Sequence, residues 1–589
     1  MTKTLLACAL AVAGAFAIAP AHSAQLVLLN GDAGTGLGLD DPTAAAPVGL
    51  NPGTTVGEQR QIVYRFAMDL WGTVLKSDVP IKVGASFQRL TCTATSATLG
   101  SAGANWIDRD FPNAPIAGLW YNAALADSLA GTDLDPDPAD PADIVSRFNG
   151  DLGKPDCLAG TSWYYGLDGK TPAGHINFLN VVMHEIGHGL GFQGFLNKST
   201  GAFGDFDGAG PRSDAYTQNA FDNVLGRGFN DPTMTNADRA TAMKTPGRLV
   251  WTGARANGEA SLVLDNRQYF TVTAPAGIAG RYLYGTASFG PVATPANFTG
   301  EVILGQDTAD AAGPSTTDAC SPLTNAVAGK IVLVDRGTCG FVIKAANVQA
   351  AGGKAMVVAD NAAGSPPPDL GGTDPNITIP AIRITLADGN TFKANLPANV
   401  TFVIDPVLLQ GADDNGRVRL YAPTVVAAGS TFSHYDTALS PNALMEPFDT
   451  PTVQAQYNVD LTPALYRDMG WKVNNGNGKI GRCDSGVEAL EEGGFIVGAN
   501  VQAWNNLCKA TNKNPGKYMQ CMVDTQKRLR DAKLIKPLQG AQILLCPATN
   551  LRCPRSGRAA HPLHLRRAPS WPRFFCARPR RSCRFGIPA

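Results

Sequence analysis

"HEIGHGLGFQGF", His184 to Phe195, is the stretch on which the reading of this chain turns. Upstream, "NFLNVVMHEIGHGLGF" places Phe178, Val181, Val182 and Ile186 at helical spacing and ends in glycines. The pattern predicts a buried helix that stops near Gly189 or Gly191. His184 and His188 lie four residues apart, so they share one face of it. Two imidazoles on one face can hold Zn²⁺ at about 2.0–2.1 Å, and Glu185 beside the first can act on a water as a general base. With seven His and eight Glu in 589 residues, chance gives H-E-x-x-H in roughly one such chain in a thousand.

Two imidazoles are not a complete site, because catalytic zinc takes about three protein ligands and a water. The motif resembles that of zinc proteases, many of which continue it to a third His three residues after the Gly; here Gly191 is that Gly and Gly194 stands in the His position. Outside the N-terminal segment and the last 39 residues, the remaining His are His175 and His434. His175 precedes the motif by nine residues and reads as a loop or strand-end residue. His434 lies far along, in "GSTFSHYDTALSPNALMEPF". Asp205 and Asp207 of "GDFDGAG" are weaker ligand candidates, since such loops are usually solvated turns and less often calcium sites.

The chain is too long for one core, so several domains are expected. Residues 1–24 read as a signal peptide: Lys3, an apolar run, then small residues with cleavage between Ala21 and Ala24. This implies export and a secreted protein, where disulfides persist. Beyond Cys8, eight Cys fall in even groups: Cys92 and Cys157; Cys320 and Cys339; Cys483, Cys508, Cys521 and Cys546. Pairing within each group is expected. Residues 551–589 hold ten Arg, no acid and three further Cys, without periodicity. They read as a disordered basic tail or as out-of-frame translation, so His561 and His564 are not counted as ligands. Setting aside Lys3 and those ten Arg leaves 38 basic residues against 49 acidic. An acidic body argues against a nucleic-acid partner, and no apolar run in it reads as a transmembrane segment.

"HEIGHGLGF" followed much later by "SHYDTALSPNALMEP" resembles the leishmanolysin-like branch of the metzincin zinc proteases. In that branch a long insertion separates the motif from its third His. The resemblance implies that Gly191 is the metzincin Gly, that His434 is the third zinc ligand, and that Met445 forms the Met-turn beneath the metal. "LTPALYRDMGW", Leu461 to Trp471, is similar to the helix that closes these catalytic domains. The resemblance covers roughly 25–270 and 411–472; the insert is longer than the family's, and no propeptide Cys is evident.

Between those parts, "GKIVLVDRGTCGFVIKAANVQAAGGKAMVVADN" reads as strand, helix and strand. With "ITIPAIRI" it resembles the protease-associated (PA) domain over about 271–410, a binding or lid module without catalytic groups. "GEQRQIVYRFAMDLWGTVL" reads as an amphipathic helix and "IKVGASFQRL" as a strand. "DLDPDPADPAD" reads as a solvated acidic, Pro-rich loop, with Ca²⁺ binding as the lesser alternative. "KVNNGNGKIGRCDSG" reads as a linker, and 473–550 as that linker plus a small Cys module.

The sequence thus predicts an α+β protein. A two-lobed metzincin-like catalytic domain (25–270 and 411–472) carries a PA-type α/β insert and a small C-terminal Cys module. The function expected is secreted zinc-dependent endopeptidase, with one Zn²⁺ on His184, His188 and His434, Glu185 as base, and protein or peptide substrates. The alternative is a secreted adhesin or binding protein that keeps a protease fold without catalysis.

Overall fold

The computed structural model describes residues 23–550, apart from 373, 375 and 451. The segment through residue 22, within the stretch read as a signal peptide, and the 551–589 tail lie outside the described residues, as do Cys8, Cys553, Cys576 and Cys583. The chain forms two compact units: one from Met1–Val263 with Arg417–Ala589, the other Leu264–Gly416.

The first unit is built on a four-stranded sheet. Its strands are β1 (Leu26–Asn30), β2 (Ile81–Gln88), β3 (Gly100–Ala104) and β4 (Ile144–Asn149), in the order β1-β2-β4-β3. The first three in that order run parallel, and β3 lies antiparallel on the edge. Helix α1 (Val56–Val74) starts at Thr55, whose hydroxyl accepts from the Glu58 amide while the Glu58 carboxylate accepts from the Thr55 amide. This reciprocal cap satisfies two otherwise orphaned donors. The apolar spacing predicted one inward face for α1. The structure buries Val63, Tyr64, Phe66, Ala67, Leu70, Trp71 and Val74, which fall on one broad face, with exposed Arg65 opposite.

Helix α2 (Phe178–Gly189) carries the His motif, and Asn177 caps it through the Leu179 and Asn180 amides. It is buried nearly end to end. Its carbonyls are taken by side chains from distant segments. Trp71 Nε1 donates to Met183 O (3.0 Å), Tyr466 OH to Gly187 O (2.6 Å) and Asn122 Nδ2 to Gly189 O (2.9 Å). Trp471 Nε1 donates to Leu190 O just beyond the helix (2.8 Å). The last carbonyls of a helix lack internal partners, and leaving them buried and unmet is costly. Tyr466 belongs to α3 (Thr462–Met469), the helix expected from "LTPALYRDMGW".

The stretch read as a linker is instead a hairpin, Asn477–Ile480 with Cys483–Glu488. Helix α4 (Val497–Thr511) follows and packs on α1: the Phe66 and Trp504 rings meet edge to face at 5.3 Å, and Asn506 Nδ2 donates to Asp69 Oδ1 at 3.0 Å. The Cys module is therefore continuous with the first unit. Cys92–Cys157, Cys320–Cys339, Cys483–Cys546 and Cys508–Cys521 are disulfides, each within its expected group.

The second unit holds a seven-stranded sheet. Gly300–Leu304, Ile331–Asp335, Ala355–Ala359 and Ala381–Ile384 run parallel, the arrangement expected of strand–helix–strand connections. Ile331–Val334 are buried because apolar clusters cover both faces, Phe270 and Phe402 on one side, Val348 and Met356 on the other. The unit is wider than 271–410, because Asn266–Ala274 crosses that boundary to pair antiparallel with Ala398–Leu409. Asn266 lies opposite Leu409, so the chain enters and leaves this unit side by side.

One contact sets how closely α2 sits on the sheet. A Cβ at Gly189 would land on the Ile144 side chain of β4. Gly189→Ala should destabilise by about 1–3 kcal/mol through overpacking. Adding Ile144→Ala should make the double variant less destabilised than the sum of the singles. Chemical denaturation of the four proteins checks this.

Candidate metal centre

Three imidazoles meet above α2. The Nε2 atoms of His184 and His188 are 3.0 Å apart, and His434 Nε2 is 3.2 Å from each. Each opposite nitrogen faces a backbone carbonyl: His184 Nδ1 with Leu444 O (2.7 Å), His188 Nδ1 with Phe192 O (2.8 Å), His434 Nδ1 with Ser430 O (2.8 Å). A carbonyl only accepts, so each Nδ1 carries the proton and each Nε2 turns a lone pair toward the other two. Burial lowers the His184 pKa to about 4 and holds His188 and His434 well below the usual imidazole range, with neighbouring imidazoles adding to the last two. All three are neutral at neutral pH, the form that binds metal.

The donor set fits zinc. Ligands at 2.0–2.1 Å in a tetrahedron stand about 3.3 Å apart, close to the observed separations. Three converging lone pairs with no proton among them repel, and a cation removes that repulsion. Among the described residues this is the one group of three or more His, Cys, Asp or Glu arranged to hold a metal.

Gly194 now has a physical account. A Cβ there would overlap the Phe432 ring, so residue 194 has no room for a side chain. The segment that delivers His434 occupies the space instead. Phe432 adopts φ 73°, an uncommon conformation for a large residue. Its ring stacks on Phe229 and meets Tyr216 edge-on, while Tyr216 OH donates to Phe432 O (2.9 Å). Gly191 sits at φ +123°, where an L side chain would be strained, and turns the chain out of the helix.

Met445 is buried directly beneath α2. A Cβ at Gly187 would stand 2.7 Å from Met445 Sδ, so glycine lets the thioether lie this close to the helix backbone. The turn is held from below. Asp460 accepts from the Leu444 amide and from Thr462 Oγ1, and Met445 O accepts from the Tyr435 amide (2.9 Å). Burial pushes the Asp460 carboxyl up to about 7, against the hydrogen bonds that it accepts. No pattern in the sequence marks Asp460; only its place under this turn reveals what it does.

Glu185 is buried on the same helix and accepts from the Ala102 amide of β3; burial pushes its carboxyl up to about 8. A Cβ at Gly100 would lie 2.5 Å from Glu185 Oε1, so glycine there lets the edge strand run past the carboxylate. Strand β3, the three imidazoles, Glu185, Lys198 and Glu446 line a cleft of about 760 Å³.

The weaker candidates lie elsewhere. His175 is exposed, with Nδ1 3.1 Å from Ala173 O, and is not in the cluster. Asp207 pairs with Arg109, and Asp205 accepts from the Gly210 amide. The Ca²⁺ considered for the acidic loop finds no support: among the described residues the group arranged to hold a metal is the three histidines, while Asp133, Asp135 and Asp137 each accept from the amide two residues on and Asp133 also pairs with Lys82.

Comparison with known proteins gives local likenesses. A segment is 46% identical over 44 residues to "Signal peptide peptidase-like 2" of Arabidopsis thaliana, covering 8% of each chain. "Signal peptide peptidase-like 4" of Oryza sativa subsp. japonica is 37% identical over 78 residues, 13% of this chain and 14% of that one. The chain therefore spans only a small part of the length of these relatives. Among solved structures, BSAP, a zinc aminopeptidase from Bacillus subtilis, is similar at 22% identity, with 26% of this chain and 36% of that one covered and a TM-score of 0.18. The aminopeptidase from Aneurinibacillus sp. strain AM-1 is similar at 23% identity over 25% and 36%, with a TM-score of 0.17. The PA domain family matches residues 298–392, within the second unit, so this part of the chain is a PA domain.

Proposed function

We propose that the protein is a secreted zinc-dependent endopeptidase of metzincin type, with a PA domain inserted between the two parts of its catalytic unit. The observation that carries this reading is the meeting of three imidazole Nε2 atoms beside a buried glutamate. His184, His188 and His434 would hold the ion, and Met445 packs beneath α2 rather than binding it. Zinc bound there supplies Lewis acidity to a water and to a peptide carbonyl.

The chain's own residues supply the rest. Strand β3 pairs with β4 on one side and is an edge on the other, so an extended peptide can add to it through main-chain hydrogen bonds. Pairing there lays the peptide across the cleft beside Glu185. Glu185 takes a proton from the attacking water and returns it to the departing amine nitrogen. A bound divalent cation favours its charged form, which opposes the effect of burial. A cleft bounded by an edge strand accepts the middle of a chain, which favours endopeptidase action. The four disulfides support an exported protein. A non-enzymatic binding protein is the rival, but a structural zinc has no use for a base in the position of Glu185.

Glu185→Gln should keep its zinc and lose peptide hydrolysis by about hundredfold or more, since base and ligands are different residues. Zinc content and casein hydrolysis, with and without chelator, are measured together. A zinc-loaded Glu185→Gln protein that still hydrolyses casein at the native rate sinks the mechanism, and a native protein without chelator-sensitive hydrolysis favours the binding-protein reading.

His434→Ala should weaken zinc binding by about tenfold or more, whereas His175→Ala should leave it unchanged. Competition against a chromogenic chelator reads both affinities. The opposite ranking would remove His434 from the ligand set.

A further inference from the structure

The cleft holds a cation that neither the metal centre nor the proton transfer uses. Lys198 lies on the turn after α2, where Asn197 Oδ1 accepts from the Ser199 and Thr200 amides and the Gly201 amide bonds Asn197 O. That turn fixes the backbone from which Lys198 reaches the cleft. Its Nζ donates to Ala428 O at 3.3 Å, and no carboxylate pairs with it among the described residues. Ala428 lies just before Ser430, the residue whose carbonyl orients His434.

The cleft is electrostatically uneven. At the end beside the first half of α2, the Leu444–Val453 segment is tied down by His184 on Leu444 O and by Asn180 Nδ2 on Val453 O, and it brings Glu446 and Asp449. At the other end, beside His188 and His434, the lining polar groups are Lys198, Gln193, Ser430 and Ser433, with no acid. Gln193 Oε1 is buried there without a hydrogen-bond partner. Burial alone lowers the Lys198 pKa to about 8, so the amine remains mostly charged at neutral pH. A half-buried cation without a counter-ion among the described residues loses part of its hydration, and an arriving anion offsets that loss.

We propose that Lys198 is a specificity-determining residue: its ammonium receives a carboxylate of the peptide substrate at the His188–His434 end of the cleft. This rests on the peptidase reading above. The carboxylate is an Asp or Glu side chain near the cleaved bond, or the C-terminal carboxylate of a short peptide. Both present the same charge and the same acceptor oxygens to Nζ.

The test uses the zinc-loaded full chain and peptides with amidated C-termini in which Glu replaces Gln at successive positions, plus a free-acid form of the Gln series. At one position Glu should raise kcat/KM over Gln by about tenfold or more. Lys198→Met should abolish that ratio, Lys198→Arg should retain most of it, and Lys198→Glu should shift the preference to Lys or Arg peptides. If the free-acid series carries the preference, the C-terminal carboxylate is the ligand. The proposal is overturned if the native protein shows neither preference, or if Lys198→Met slows Glu and Gln peptides equally, as a mere prop for Ala428 would. If no peptide is cleaved, the peptidase reading fails, and calorimetric binding of the same Glu and Gln peptides decides the carboxylate site by itself. Equal affinities would then overturn it.

Discussion

Three neutral imidazoles must hold their Nε2 lone pairs within 3.0–3.2 Å of one another, and much of the first unit serves that constraint. Such an arrangement is repulsive without a cation, so it persists only where the rings cannot turn. Each ring is pinned at Nδ1 by a carbonyl, and the three carbonyls come from Leu444, Phe192 and Ser430. These outer hydrogen bonds choose the tautomer and the aim of each ring together. Anything that moves those three backbone segments moves a nitrogen.

The helix beneath is held with comparable strictness. Two tryptophans, a tyrosine and an asparagine satisfy carbonyls in and just beyond α2, and they arrive from α1, from α3 and from the segments beside them. Glycines at 187 and 189 let Met445 and Ile144 approach the helix backbone more closely than any side chain would allow. Position and orientation of the two motif histidines are thereby set by residues remote from them in sequence.

The third histidine is 246 residues from His188, which would be a costly loop to close if it were unfolded. It is not unfolded. The intervening PA-containing unit has its own sheet, and its first and last strands pair antiparallel with Asn266 opposite Leu409. A folded insert whose ends lie together adds little closure entropy, so the segment bearing His434 can dock as though it followed a short loop. Phe432 completes the docking by filling the room beside Gly194.

The sequence by itself determined the helix, two of the three clustered histidines, the glutamate between them, the strand–helix–strand core of the insert and the grouping of the cysteines. Each of these is a local pattern: a four-residue spacing, an apolar period or an even count. His434 was legible only through resemblance, because nothing local distinguishes a ligand from any other histidine. Tertiary structure alone decided that the space beside Gly194 is filled by Phe432, that Asp460 supports the Met445 turn, that 477–488 is a hairpin, and that Lys198 reaches the cleft with no carboxylate partner among the described residues. Those are long-range contacts between segments of unremarkable composition. Their physical basis is shape and hydrogen bonding across the fold, which leaves no periodic trace along the chain.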